Sequence, residues 1–315
     1  MWKLLSGLFF GWSLGANDSA NIFGTGVATG TVRYRTAIGL TAAFVVVGAM
    51  AEGPKCMTTL DALSRISSMG AFFCALAAGL TIATLTVLAI PASASQAVVG
   101  AIVGVGLLSG TADLSPLYKV VACWVFTPVA GAVFSYLLYR IIERVLNRTV
   151  RSITRRNFLY FVGILTAGSY GSYSLGANNV ANVTGVYVSA ALLTPTAASW
   201  IGGMSIALGV LTYSRKVMTT VGKGIVPLDP FSAFIVVFAE AATLHVFTQV
   251  GVPVSSSQAV VGAVVGVGLV GDLRTVHLST LGRIGLGWVM TPVAAGALAA
   301  GLCHAYTLYG RIQTP

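Results

Sequence analysis

The sequence predicts an all-α polytopic membrane protein: two inverted repeats of about five hydrophobic segments each, with broken or re-entrant helices at the bilayer midplane. Three observations carry this reading. The 315-residue chain is 56% hydrophobic and only 8% charged, with a mean hydropathy of +0.87, against roughly 25% charged in soluble domains. Apolar runs of about 20 residues recur along its length, as bilayer-crossing helices require. They lack the period-two alternation of a membrane barrel. The chain also repeats itself.

Four blocks recur in the same order. Ser13–Asn21 (SLGANDSAN) matches Ser174–Asn182 (SLGANNVAN) at an offset of 161 residues, and Lys55–Thr59 matches Lys216–Thr220 at the same offset. PASASQAVVGAIVGVGLL from Pro91 matches PVSSSQAVVGAVVGVGLV from Pro253 at an offset of 162. Trp124 with Thr127-Pro128-Val129-Ala130 matches Trp288 with Thr291-Pro292-Val293-Ala294 at an offset of 164. Such spacing reads as one ancestral unit, doubled.

The apolar segments of the first half lie near 4–30, 37–52, 70–90, 92–109 and 118–142. Those of the second lie near 158–189, 196–213, 231–250, 254–271 and 284–307. Residues 1–142 therefore form the first repeat, 143–157 a basic connector and 158–315 the second repeat. An odd number of segments brings the second copy into the bilayer from the opposite face, which inverts it. The many glycines suit close helix approach in membranes. The first apolar run reads as retained, because its polar insert belongs to the motif that recurs downstream.

Charge agrees with this topology. The net charge of +10 includes six Arg against one Glu between Arg140 and Arg156, a pattern that sets membrane orientation and gives no nucleic-acid signal. With this connector in the cytoplasm and sides alternating from it, thirteen Lys and Arg fall inside and five outside. Both termini are then expected outside, in a cell (plasma) membrane. Re-entrant hairpins joined at Pro91 and Pro253 would leave the parity unchanged. Cys56, Cys74, Cys123 and Cys303 show no metal-ligand spacing and read as small packing residues.

Paired interruptions at matching positions of inverted repeats point to a transport site. One pair is GAND/GANN; the other is Pro91–Gln96 with Pro253–Gln258. Proline breaks or starts a helix. Ser93, Ser95, Gln96, Ser255, Ser257 and Gln258 then add side-chain groups beside free backbone N–H groups that suit an anion. In the other motif Asn17, Asn21, Asn178, Asn179 and Asn182 offer both donor and acceptor, and Asp18 only acceptors when ionised. Gly15, Ala16, Ala20 and Gly24 leave the backbone reachable. An acid at the centre of a bilayer needs a partner, and a coupling cation is the obvious one.

GANDSANIFGTGVATG, GANNVANVTG and the paired P-x-S-x-S-x-A-x-x-G blocks resemble the inorganic phosphate transporter (PiT) family over essentially the whole chain. The resemblance implies cation-coupled uptake of phosphate, with sulfate carried by some members, and an inverted-repeat helical fold often assembled as a homodimer. It places Asn17, Asp18, Asn21, Asn178, Asn179 and Asn182 on the cation and anion sites, and Ser93, Ser95, Ser255 and Ser257 in substrate-facing turns. Asp18, Asn17 and Asn178 would hold Na⁺ if sodium is the coupling ion. Two departures stand out: Asn179 replaces an acid of the second motif, and Gln96 and Gln258 replace the His of many relatives. Both remove ionisable groups, which keeps sulfate beside phosphate as substrate.

Further candidates are weaker. Glu240 in FIVVFAEAATLHVF reads either as a cation ligand or proton carrier that compensates for Asn179, or as an interfacial acid paired with Lys or Arg. His245 reads as a packing or interface residue. Thr58 and Thr219 could join an oxyanion cage or bond their own helix backbone, and Thr25 could ligate a cation, although Val186 occupies its counterpart. Lys55 and Lys216 read as snorkelling side chains, and Trp124 and Trp288 as scaffold or interface anchors. The expected function is secondary-active symport of an inorganic oxyanion, phosphate before sulfate, with Na⁺ or H⁺ as the coupling ion and no other cofactor. A passive anion channel is the alternative class. No nucleotide loop, zinc motif or activated nucleophile supports an enzyme.

Overall fold

The computed structural model describes residues 1–61, 66–88, 90, 92–218, 228–270 and 278–312. The first half forms α1 (Leu4–Ala28), α2 (Tyr34–Glu52), a 3-10 turn (Gly53–Cys56), α3 (Met57–Asp61), α4 (Ser68–Val87), α5 (Ala94–Ser109) and α6 (Leu117–Thr149). The second half forms α7 (Ile153–Ser189), α8 (Pro195–Tyr213), α9 (Pro230–Val250), α10 (Ser256–Gly268) and α11 (Leu278–Ile312). The described residues contain no strand. Apart from the short α3, the five helices of each half follow the five apolar segments. The basic connector is mostly helical, with Val150–Ser152 between α6 and α7.

Local chemistry sets the boundaries. Side chains of Ser67, Ser93, Thr194, Asp229 and Ser255 accept from backbone N–H groups of the first turns of α4, α5, α8, α9 and α10, the role those residue types fill at a helix start. Gly251 ends α9 with φ 77°, in the left-handed region that glycine enters without strain. Pro128 and Pro292 lie inside α6 and α11 at equivalent places.

Among the described residues six helices are long and apolar enough to cross a membrane, and the protein is an integral membrane protein. With 25 and 37 residues, α1 and α7 match or exceed the length that a bilayer needs. Their polar motifs keep them out of that hydropathy class, and both motifs are covered by neighbouring helices. By contrast α5 and α10 have 16 and 13 residues, about 24 and 20 Å at 1.5 Å per residue. Each follows a break after a longer partner, α4 or α9. Those breaks fall where the Pro-Ser motifs predicted them.

The Asn motifs behave differently from expectation. Both were read as interruptions, yet α1 and α7 run through them without a break. The reason is that none of their amides bonds its own helix backbone: Asn17, Asn21 and Asn178 reach other segments and Asn182 bonds the Asn179 side chain, so the backbone ladder stays intact.

The repeats are interlocked. α1 packs on α8 of the other repeat, and α7 packs on α2 in the equivalent way; α5 pairs with α11 as α10 pairs with α6. α1 and α7 cross antiparallel: Gly7 lies against Tyr187 and Gly11 against Val183, while Ile22 and Phe23 pack on Gly171 and Gly168. Equivalent helices thus run in opposite directions, as inversion requires. At the α1–α8 crossing Gly15 abuts the Ile206 carbonyl, and at the α7–α2 crossing Gly176 abuts that of Val45. A side chain at either would occupy the neighbour's backbone. Gly15, read from sequence as leaving backbone open to a ligand, is instead closed by α8.

Candidate functional site

The crossing of α1 and α7 places the two Asn motifs side by side at the centre of the protein. Asn17, Asp18, Asn21, Asn178, Asn179 and Asn182 are each no more than 1% exposed. Ser93, Ser95, Gln96, Ser255, Ser257 and Gln258 are also buried, at the starts of α5 and α10.

Asn17 and Asn178 are clamps. Asn17 Nδ2 donates to Thr86 Oγ1 at 2.9 Å and to the Ile90 carbonyl at 3.2 Å, and its Oδ1 accepts from the Ala92 N–H at 3.1 Å. Asn178 repeats this partner for partner, donating to Thr248 Oγ1 at 3.0 Å and the Val252 carbonyl at 3.2 Å, and accepting from the Val254 N–H at 2.8 Å. Each amide thereby fixes the break that precedes a Ser-capped helix start. From sequence both are expected as substrate and Na⁺ ligands; here both amide donors, and one lone pair of each Oδ1, are committed to this scaffold, which leaves one lone pair on each oxygen. Thr86 and Thr248, which sequence reasoning missed, complete the clamps. They sit at matching places five residues before Pro91 and Pro253, the signal that could have found them.

At the helix starts Ser93 Oγ pairs with Ser95 Oγ at 3.3 Å and accepts from the Gln96 N–H at 3.3 Å. Ser255 pairs with Ser257 at 2.8 Å and accepts from the Gln258 N–H at 3.3 Å. Gln96 Oε1 and Gln258 Oε1 are buried without partners.

Acceptors without partners concentrate on the α1 side. Asp18 Oδ1, Asn21 Oδ1, Thr25 Oγ1 and both carboxylate oxygens of Glu240 are buried and unbonded. Asn21 Nδ2 donates to Ser256 Oγ at 2.9 Å, and the Ser256 side chain lies beside Asp18. Glu240, fully buried on α9, faces Asp18 closely enough for the two charges to interact. Asp18 and Asn21 of the first repeat thus meet Ser256 and Glu240 of the second. Unpaired buried oxygens of this kind cost several kcal/mol unless something compensates them, and a cation does so directly. Ser256 was missed from sequence; the middle Ser of PVSSSQ, where PASASQ has Ala94, was its signal.

Other candidates fall elsewhere. Thr58 is exposed on α3, away from the buried centre, and Thr219 lies outside the described residues. Lys55 Nζ donates to Gln249 Oε1 and Lys216 Nζ to the Val87 carbonyl, so both reach the ends of α9 and α4. His245 bonds the Tyr170 hydroxyl through Nδ1 at 2.7 Å and lies 3.3 Å from Glu52 through Nε2. Glu240 has no ion pair among the described residues, which removes the reading of it as an interfacial acid paired with Lys or Arg. A cavity of about 650 Å³ between α5, α6 and α11 is apolar, with Trp124 and Pro292 in its wall, and is separate from this centre.

Comparison with known proteins matches this arrangement. The phosphate transporter family model fits residues 14–163 and again 154–299. The chain belongs to the phosphate transporter family. A candidate phosphate permease of Pyrococcus furiosus is 27% identical, covering 94% of this chain and 93% of its own. The sulfate permease CysP of Bacillus subtilis is 29% identical, over 92% of this chain and 83% of its own. A solved structure titled as the sodium-dependent phosphate transporter superposes with a TM-score of 0.85 at 23% identity, covering 98% of this chain and all of that one. That likeness bears on the fold. As a member of this transporter family the protein is not an enzyme.

Proposed function

We propose that this phosphate transporter family member is a secondary-active symporter of an inorganic oxyanion, with phosphate the favoured substrate and Na⁺ or H⁺ the coupling ion. The observation that carries the reading is the set of buried, unpartnered oxygens of Asp18, Asn21 and Glu240 beside the Ser-capped start of α10. Oxygens without partners suit a cation. The helix starts of α5 and α10, with their free N–H groups and partial positive charge, suit an anion. Cation and oxyanion bound together offset each other's charge, which lowers the cost of closing the site in a low-dielectric interior. The clamps at Asn17 and Asn178 then hold each helix start to α1 and α7. Access alternates by rocking of the interlocked bundles about this point.

Sulfate is the second reading. Gln96, Gln258 and Asn179 do not titrate, so they select no protonated oxyanion, and a sulfate permease is among the relatives. In our reading the Arg140–Arg156 connector is cytoplasmic, both termini lie outside, the membrane is the plasma membrane, and two copies can assemble as a homodimer.

The test is uptake of radiolabelled phosphate and sulfate by proteoliposomes under imposed Na⁺ or H⁺ gradients. We expect gradient-driven accumulation, abolished in Asp18→Asn although that variant remains folded in detergent. Uptake indifferent to both gradients would instead establish a passive channel.

A further inference from the structure

Every polar group at the centre has a counterpart in the other repeat, and the counterparts differ in one direction. The register is set by the two clamps, whose hydrogen bonds repeat partner for partner. In that register Asp18 corresponds to Asn179, Glu240 to Ala78 and Ser256 to Ala94. Both acids and the hydroxyl are missing from the second cluster.

The loss has a visible effect. Asn21 extends its amide to Ser256 at 2.9 Å. Asn182, its counterpart, has Ala94 where a hydroxyl would be, and donates instead to Asn179 Oδ1 at 2.8 Å. That bond uses the Asn179 oxygen and leaves Asn179 Nδ2, in a side chain 1% exposed, as an unpartnered buried donor. The first cluster therefore holds both acids and is rich in open acceptors. The second has no acid and keeps one open acceptor, Asn182 Oδ1, beside the open donor Asn179 Nδ2. A hard cation needs oxygen ligands, and one desolvated beside an amide donor with no countercharge would be unfavourable.

We propose, resting on the symport reading above, that the coupling cation binds once, at Asp18, Asn21, Ser256 and Glu240. The pseudo-equivalent cluster holds no cation and has become an anion contact in which Asn179 Nδ2 donates to the transported oxyanion. Asn179 is then a specificity-determining residue of the substrate, not a cation ligand.

The experiment counts ions. Proteoliposomes take up ²²Na⁺ together with ³²P-phosphate or ³⁵S-sulfate; in Na⁺-free medium an entrapped pH dye reports protons moved per oxyanion. The expected result is one cation per oxyanion and a non-sigmoidal cation dependence. Asn179→Ala should raise the oxyanion half-saturation several-fold and leave the cation half-saturation in place, with Asn179→Ser, which keeps a donor, lying between it and wild type. Two cations per oxyanion, or an Asn179→Ala effect on the cation rather than the oxyanion, overturns the proposal while symport stands. Absence of gradient-driven uptake under every condition removes the symport reading and this inference with it.

Discussion

Asn178→Ala separates a clamp from a ligand. The substitution removes three hydrogen bonds and leaves the Val252 carbonyl and the Val254 N–H without their partner, between residues that are both fully buried. A stranded buried group costs about 1–3 kcal/mol. Side-chain bonds inside membrane proteins average about 0.6 kcal/mol, which puts a floor of about 2 kcal/mol under the three together. We expect a destabilisation of about 2–5 kcal/mol, with Asn17→Ala milder because its Ile90 partner is part-exposed. Thermal unfolding in detergent, followed by tryptophan fluorescence, gives the midpoint, and oxyanion uptake gives the function. The clamp account expects both to fall together. An Asn178→Ala protein that melts at the wild-type midpoint but shows weakened oxyanion affinity would refute it and restore Asn178 as a ligand.

Three further outcomes follow from other contacts. In Gly15→Ala the new Cβ would lie 2.0 Å from the Ile206 carbonyl oxygen; forcing α1 and α8 apart should cost about 1–3 kcal/mol, read as a lowered melting midpoint. Ser256→Ala removes the acceptor of the Asn21 amide and the hydroxyl beside Asp18. A bond to a charged group contributes about 1.5–3 kcal/mol, so the cation half-saturation should rise roughly tenfold or more, measured by uptake at varied Na⁺ or pH. A single cysteine at the exposed Ser152, in a background lacking the native four, should react with an impermeant maleimide only from the cytoplasmic side.

Much of the architecture was legible because it is written twice. The inversion, the five segments per half and the Ser-capped starts after Pro91 and Pro253 all came from repetition, and repetition is visible in one sequence. The pairing between repeats was not. α1 finds its cover on α8, and Asp18 finds Glu240 across 222 positions, and no local pattern encodes an exchange of partners. For the same reason Asn17 and Asn178 looked like ligands: a buried amide reads identically whether it faces a solute or a backbone turn. The expected breaks at the Asn motifs failed on similar grounds, since a polar residue need not unwind a helix when another helix satisfies it. Ser256 was legible in principle, as the one added hydroxyl between PASASQ and PVSSSQ, but its weight depended on knowing that Asn21 would reach it.

The exchange of partners between α1 and α8 also bears on how the chain is made. The ribosome delivers α1, with Asp18 and Asn21 already on it, long before Glu240 and Ser256, the groups of the other repeat that meet them. About four-fifths of this sequence is made before Ser256 exists. Until then Asn17 can find its partners in the first repeat, but Asp18 and Asn21 wait for theirs. Neither half, expressed by itself, would complete its own interior.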